Sequence, residues 1–475
     1  MRGNKMKKTL KALLLIIITN VSAVTGVPKQ KIKDGAILHC WCWSFKTIEQ
    51  KLPEIAAAGF TAVQTSPINT CLVGENGGLE IFGRNGGGKW YYHYQPTDWK
   101  IGNYQLGSRV DFESMCKAAE RLGIGVIVDV VPNHTTPQKD ALSADFVKAC
   151  GGIEKLYHAN SSQSVKSFAN RLQSTTHSMG GLPDVNTENP LFQAYFMAFM
   201  NDAIDCGADG FRFDTSKHIG LPDDPLDPAA EKNNFWPVFT GKEAVKGVSL
   251  HNADNLFLYG EVLQAENTRE KDYSKYIAVT ASHYGATVRS QIKSGSVSAK
   301  HLKNWRNEAG GERLVTWVES HDTYANQGES AKLTNAQLRA GWAVIAARKE
   351  GTPLFFSRPK GAEGVQFPGV SKIGDAGNDE FKNPEVAAVN KFRTEMRGED
   401  ENLFNADADG GTKILCIERG KKGVVIINSG DDAKFKASTS LPDGVYTDKA
   451  HGVSFKAKKG LLTGKLLANQ IYVLY

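Results

Sequence analysis

A closed (β/α)8 barrel followed by an antiparallel β-sandwich domain is the fold class this sequence predicts, and three observations carry it. A unit of strand, amphipathic helix, glycine and strand recurs between Ala36 and Gly210. Eight short segments of strand character lie between residues 36 and 356, and alternating strand–helix units build parallel sheets. Past residue 398 helical spacing stops, and runs such as Ile414–Glu418 and Val424–Ile427 alternate with turns such as Ser429-Gly430-Asp431. Periodicity leaves a doubly wound open sheet as the alternative, and eight units over this length favour closure.

The first strand is expected over Ala36–Cys42, where Cys40 and Cys42 would share one face with Trp41 opposite. A helix follows with Ile48, Leu52 and Ile55 at helical spacing, stopped by Gly59. Phe60–Thr65 reads as the second strand. The next helix carries Phe112, Met115, Ala119 and Leu122 and stops at Gly123. Gly125–Val131 is β-branched and apolar enough for a strand buried on both faces. Asn189-Pro190 pairs a cap with a first-turn proline and starts a helix expected to reach about Asp205. Gly207 leads into the strand beginning at Gly210. Further strands are expected at Leu256–Gly260, Ile277–Thr280, Leu314–Trp317 and Leu354–Phe356, and a last barrel helix from Asn383-Pro384 to Gly398. Two stretches break the rhythm. The polar region at about 133–188 reads as a small excursion after strand three, and Thr70–Lys89 is a glycine-rich loop expected to be mobile. The division is therefore a barrel over 27–398, with the excursion inside it, and an all-β domain over 399–475.

Residues 1–26 stand outside that fold. Arg2, Lys5, Lys7, Lys8 and Lys11 precede the apolar run Ala12–Ile18, and small residues follow at Ser22, Ala23 and Gly26. This is the layout of a bacterial-type secretory signal peptide, with cleavage expected after Ala23 or Gly26 and an extracellular or periplasmic destination. The run is too short to span a bilayer, and no Cys in the first 30 residues offers a lipid anchor. The formal charge of +6 is misleading, because five of the 57 basic residues and none of the 51 acidic ones fall in this segment. The remainder is close to neutral, so neither a nucleic-acid nor an anionic-membrane partner is expected. Seven Cys in so long a chain indicate no disulfide framework, Cys40 and Cys42 are too closely spaced for a zinc pair, and buried free thiols are expected.

The chemistry concentrates at strand ends. Gly-Phe-Arg-Phe-Asp-Thr-Ser-Lys-His, residues 210–218, starts as a strand and ends with an acid, a guanidinium, an ammonium and an imidazole within seven residues. Burying that many charges costs several kcal/mol each unless they are paired, so the cluster reads as a site more readily than as scaffold. Four further stretches place polar residues at strand ends: DVVPNHT from Asp129, LPDVN from Leu182, YGEVL from Tyr259 and VESHDTY from Val318. In a closed barrel Asp214, Glu261 and Asp322 would surround one cleft. Crowded like charges raise one carboxyl's pKa, and an ionised carboxylate beside a protonated one is the machinery for cleaving a glycosidic bond. Arg212 should hold Asp214 ionised, and the less polar flanks Gly260 and Val262 should favour a protonated Glu261. His134, His218 and His321 could hydrogen-bond sugar hydroxyls.

These stretches resemble the short signature regions of the α-amylase family, glycoside hydrolase family 13, a TIM-barrel family. ILHCWCWSF, FTAVQTSPIN, YQPTDWKIGN, VTWVESHDTYAN and TPLFFSRP are similar to secreted saccharifying members of Bacillus subtilis type, over nearly all of the chain past the leader. The resemblance implies Asp214 as nucleophile, Glu261 as general acid/base and Asp322 as a third carboxylate that holds sugar hydroxyls and stabilises the transition state. It implies substrate contacts from Tyr94, Gln95, His134, Arg212, Lys217, His218 and His321. It also implies a structural Ca²⁺ between barrel and excursion, with side-chain oxygens from Asn133 and Asp184 and backbone carbonyls from His218 and Thr175. The substrates implied are starch, glycogen-like α-glucans and malto-oligosaccharides, cut endo-fashion at α-1,4 bonds with retention by a monomer. An α-1,6-cleaving or transglycosylating relative, a non-catalytic starch-binding protein and a sugar-transport subunit are the rival readings, and the complete carboxylate set argues against the last two. The proline of LPDVN departs from the closest type, and the residues after Asp322 lack the basic group of the chloride-dependent animal branch.

Overall fold

The computed structural model describes residues 26–74, 77–82 and 89–475. Residues 1–25 of the leader, and the parts of the glycine-rich loop at 75–76 and 83–88, lie outside the described residues. Eight parallel strands close into a barrel: β1 (Ile37–His39), β2 (Ala62–Gln64), β3 (Gly125–Val130), β4 (Gly210–Phe213), β5 (Phe257–Gly260), β6 (Ala278–Thr280), β7 (Leu314–Trp317) and β8 (Thr352–Phe356). Leu38 of β1 stands opposite both Val63 of β2 and Phe355 of β8, which closes the ring and excludes the open sheet.

Nearly every strand residue is buried, as a parallel sheet covered on both faces requires. Ile37, Ala62, Ile127, Phe257, Val315 and Leu354 pack inside the barrel, where Ile32 of α1 (Lys29–Asp34) joins them and plugs the N-terminal end. Nearby, the Asp209 carboxylate accepts the backbone N–H groups of Val27 and Val126 at 2.6 and 2.9 Å.

The outer helices follow the apolar spacing. Ser44 caps α2 (Phe45–Ala57), and Ser108 with Asp111 forms a capping box on α3 (Arg109–Arg121). Asn189 caps α4 (Pro190–Cys206) by accepting the Leu191 N–H at 2.9 Å. α5 (Ser282–Lys293), α6 (Asn335–Ala346) and α7 (Pro384–Glu395) complete the longer barrel helices.

The first strand is shorter than the sequence suggested. It ends at His39, and Cys42 adopts a left-handed φ of 64°, so Cys40 and Cys42 do not share a strand face. Donation from the Cys42 N–H to Ser66 Oγ at 2.9 Å holds this turn, which places Ser44 for its cap. All seven cysteines are buried and free. The excursion between β3 and α4 holds only short helical pieces, among them Ala144–Ala149 and Arg171–Thr176. A three-stranded sheet of Asn69–Cys71, Pro96–Asn103 and Gly107–Ser108, not foreseen from the sequence, frames the chain on either side of the glycine-rich stretch.

Two four-stranded antiparallel sheets follow the barrel. The strands are β9 (Glu401–Asn405), β10 (Ile414–Arg419), β11 (Gly423–Asn428), β12 (Ala433–Ser438), β13 (Gly444–Thr447), β14 (Ser454–Lys458), β15 (Leu461–Leu466) and β16 (Ile471–Leu474). The first sheet runs β9-β10-β11-β16 and the second β12-β15-β14-β13. Strand alternation gives the first sheet two apolar faces. Cys416, Ile426 and Tyr472 meet Phe435, Phe455 and Leu462 of the second sheet. Ile417, Val425, Ile427 and Val473 instead belong to the barrel's own outer core, with Trp342 of α6 and Val389 and Phe392 of α7. The buried Arg419 guanidinium donates to the Ala347 and Met396 carbonyls at 3.2 and 2.8 Å, fixing the two units together.

Because one apolar core crosses this boundary, a chain ending after Gly398 should be insoluble or aggregated, as read from its soluble fraction and light scattering. In the full chain, Ile427→Ala should cost about 2–5 kcal/mol of stability by urea denaturation. A soluble truncated barrel with the parent melting temperature would contradict this packing.

Candidate active site

Register creates the centre of the site. Asp129 of β3 is paired directly with Arg212 of β4, and Arg212 with Tyr259 of β5. Side chains two residues apart on a strand share a face, so Arg212 and Asp214 lie together, and Glu261, two residues beyond Tyr259, follows the same side. The buried Arg212 guanidinium reaches all three acids. Nη1 is 2.9 Å from both Asp129 oxygens and 2.6 Å from Asp214 Oδ1. Nη2 is 3.1 Å from Glu261 Oε2.

After β4 the chain turns sharply. Thr215 takes a left-handed φ of 46°, a strained conformation for a β-branched residue that costs on the order of 1–3 kcal/mol. The turn aims its N–H at Glu261 Oε2, 3.0 Å away. It also seats Ser216 against Gly260, where a Cβ would lie 2.3 Å from Ser216 Oγ. The glycine of YGEVL therefore exists for close approach of the two strand ends.

Asp322 follows β7 at the start of a π-helical turn over Asp322–Asn326, and Asn326 Nδ2 donates to its Oδ1 at 2.5 Å. His321 stacks on Tyr94, with ring centroids 5.0 Å apart and planes at 16°. The Tyr94 hydroxyl donates to Asp129 Oδ2 at 2.8 Å. His134 Nε2 lies 3.1 Å from the Tyr94 carbonyl and 4.0 Å from Asp214 Oδ2. All these groups face one cleft of about 410 Å³ at the C-terminal ends of the strands. Gln95, Lys217 and His218 line it too, so every candidate catalytic and substrate-contact residue except Arg212 reaches its wall, and Arg212 lies directly beneath.

Three buried carboxyls share one guanidinium and Asp322 stands beside them, so not all can be ionised together. Burial, then the negative charge of Glu261, pushes Asp322 up to about 7. Burial also raises Asp129 to about 6, against the pull of Arg212. Burial pushes Asp214 upward as well, opposed by the Arg212 contact. Burial acts upward on Glu261 too, but the Arg212 charge and the Thr215 N–H hold it down to about 2. This departs from the expectation twice: Glu261 is lowered rather than raised, its hydrogen-bond partner Asp322 being the carboxyl raised toward neutrality, and Asp214 is raised rather than held low by Arg212. The apolar neighbours Gly260 and Val262 do not decide the matter, because the guanidinium and the strained turn bring two donors to that carboxylate. His134 and His321 are neutral, lowered by burial to about 4 and about 3.

Several residues of the site were not picked out as functional from the sequence. Asp129 orients both Arg212 and Tyr94, and its signal was present: it is the one charge in the fully buried strand Gly125–Val130, and such a charge needs a partner. Trp90, edge-on to His321 at 5.6 Å, and Phe168, whose ring lies 5.1 Å from Lys217 Nζ, carried no readable pattern.

Three of the four residues expected around a metal converge. Asn133 Nδ2 is 2.9 Å from Asp184 Oδ2 and 3.2 Å from the His218 carbonyl. Thr175 lies beside Ser174, whose carbonyl accepts from His218 Nδ1 at 2.7 Å. A half-turn of the Asn133 amide would direct its oxygen at the same two oxygens, a cluster that only a cation would hold. The donors are all hard oxygens, so this set fits Ca²⁺ in kind. Asp184 already has one buried cationic neighbour: His158, raised to about 10 because the hydrogen bonds it donates to Asp184 and Glu188, each 2.6 Å long, outweigh its burial.

A closed parallel barrel with a carboxylate centre at its C-terminal rim places this chain in the class of barrel proteins whose cleft is built around paired carboxyls. The family model described as "Alpha amylase, catalytic domain" matches residues 43–323. An alpha-amylase of Butyrivibrio fibrisolvens is 45% identical over 94% of this chain and 48% of its own length. One of Clostridium acetobutylicum is 38% identical over 94% of this chain and 54% of its own. Among solved structures, wild-type alpha-amylase I from Eisenia fetida superposes with a TM-score of 0.71 at 18% identity, covering 93% of this chain and 97% of that one. The chain belongs to the alpha-amylase family of glycoside hydrolases, and it spans about half the length of the curated relatives it matches.

Replacing Arg212 with Leu would strand the carboxyls without a counter-ion. Arg212→Leu should lose about 3–5 kcal/mol of stability at neutral pH by urea denaturation, and less in acid, where the carboxyls are protonated. An equal loss at both pH values would show that packing, not charge, holds this centre.

Proposed function

We propose that this protein is a secreted alpha-amylase that hydrolyses internal α-1,4-glucosidic bonds of starch, glycogen-like glucans and malto-oligosaccharides with retention. The observation that carries the reading is the gathering of Asp214, Glu261 and Asp322 around Arg212 in a single cleft. In the first step Asp214 Oδ attacks the anomeric carbon as the bond to the leaving oxygen breaks, and Glu261 delivers a proton to that oxygen. In the second step Glu261 takes a proton from water, which attacks the anomeric carbon and releases Asp214. Asp322 and Glu261 share the proton before substrate binds, and ring hydroxyls that displace this contact would free it for Glu261. Tyr94, stacked on His321, offers its ring to the sugar, while His134 and His321, both neutral, can donate to hydroxyls without adding charge. Lys217 and His218 stand on the leaving side.

Ca²⁺, held by Asn133, Asp184 and the His218 and Thr175 carbonyls, would tie the excursion to the barrel and place the His218 end of the cleft. The leader reading supports export to the periplasm or medium, and the Bacillus subtilis-type likeness of the five stretches supports a saccharifying product range and a monomer.

Three outcomes test the reading. Fresh products from soluble starch should be α-anomers by rapid NMR, and Asp214→Asn should abolish turnover while retaining oligosaccharide binding; β-anomers first would sink the nucleophile assignment. Because Asp322 keeps the shared proton only below about 7, kcat/KM should fall on the alkaline side of that value, and Asp322→Asn should move or remove that limb. Chelation should lower the melting temperature of the parent, and Asp184→Ala should be insensitive to chelator. An equal chelator effect on both would place the metal elsewhere.

A further inference from the structure

The second sheet of the C-terminal domain carries a charge pattern that the catalytic cleft does not use. Its inner face packs on the first sheet, which in turn packs on the barrel, so its outer face points away from the enzyme body. Strand alternation puts Lys434 and Lys436 of β12, Lys456 and Lys458 of β14, and Lys465 of β15 on that outer face, all exposed. Register crowds them. Lys434 stands directly opposite Lys465, and Lys436 and Lys456 flank Thr463 from either side.

The outward positions of these strands contain no acid. The nearest acids, Asp431, Asp432 and Asp443, sit in turns at the sheet's ends, and Asp432 and Asp443 are spent on the backbone N–H groups of Ala468 and Lys459. Among the described residues none of the five lysines pairs with a carboxylate. Like charges directly opposite on a sheet destabilise it, and a protein close to neutral overall had other choices.

Apolar side chains stand among the lysines. Val445, opposite Lys456, is 70% exposed, and Leu461, between Ser438 and Lys458, is 38% exposed. A soluble polyanion would use the ammonium groups alone. An anionic bilayer uses both, with phosphates paired to lysines and short apolar side chains entering the headgroup region. We propose that this face docks the protein on an anionic lipid surface, leaving the barrel directed away from it. The near-neutral charge of the chain past residue 26 argued against such a partner, but recognition follows local charge distribution, and here five lysines share one sheet face that carries no acid.

The test uses the full chain and co-sedimentation with vesicles of phosphatidylcholine alone or mixed equally with phosphatidylglycerol. Binding is expected only to the mixed vesicles, to weaken as ionic strength rises, and to fall roughly fivefold for each lysine changed to Gln. Lys434→Gln/Lys456→Gln/Lys465→Gln should retain or raise the parent melting temperature, since like-charge crowding is relieved, and Val445→Ser should weaken binding without altering its salt dependence. Equal binding to neutral vesicles, unchanged binding by the triple variant, or capture by soluble dextran sulfate with no binding to mixed vesicles would each overturn the proposal.

Discussion

One guanidinium sets the terms for the whole catalytic end of this molecule. Arg212 touches carboxylates from three consecutive strands, and without it those acids could not be buried side by side. Barrel closure supplies the register that delivers them, and the register in turn would be costly to keep if the cation were absent. The rest of the centre follows outward from that contact. Asp129, held by Arg212, holds Tyr94, and Tyr94 supports His321 on one side and His134 on the other. The strained Thr215 turn adds a donor to Glu261 that no regular strand end would have provided. The electrostatic balance among the acids is thus a property of the assembled barrel, not of any single motif.

The same dependence explains what could be read from the linear chain. Strand positions were legible because parallel strands buried on both faces are written as uninterrupted β-branched runs, and Leu314–Trp317 and Gly125–Val130 fall where those runs lie. Helix starts were legible where caps are explicit, as at Asn189-Pro190. The end of β1 was not, since a left-handed Cys42 follows from a contact with Ser66 rather than from local preference. The three-stranded sheet around Pro96–Asn103 was hidden for a similar reason: it pairs chain segments separated by the glycine-rich stretch.

Within the site, residue identities were readable and protonation was not. Asp214, Glu261 and Asp322 could be chosen from position at strand ends, yet the assignment of the proton needed distances to Arg212 and to the Thr215 N–H. Local composition pointed to a raised Glu261 and a lowered Asp214, whereas the assembled contacts lower Glu261 and raise both Asp322 and Asp214. Asp129 opens one of the chemistry-bearing stretches yet received no role of its own, although a lone buried charge is itself the sign of a partner. The aromatic wall of Trp90 and Phe168 depends on loops whose paths no periodicity encodes.

The plug at the barrel floor has an architectural consequence. Val27 is bound to Asp209, just ahead of β4, at the end of the barrel opposite the carboxylates. Val27 therefore lies at the base of the barrel. A fusion partner or solid support joined at Val27 would leave the carboxylate cleft facing away from it, open on the far side.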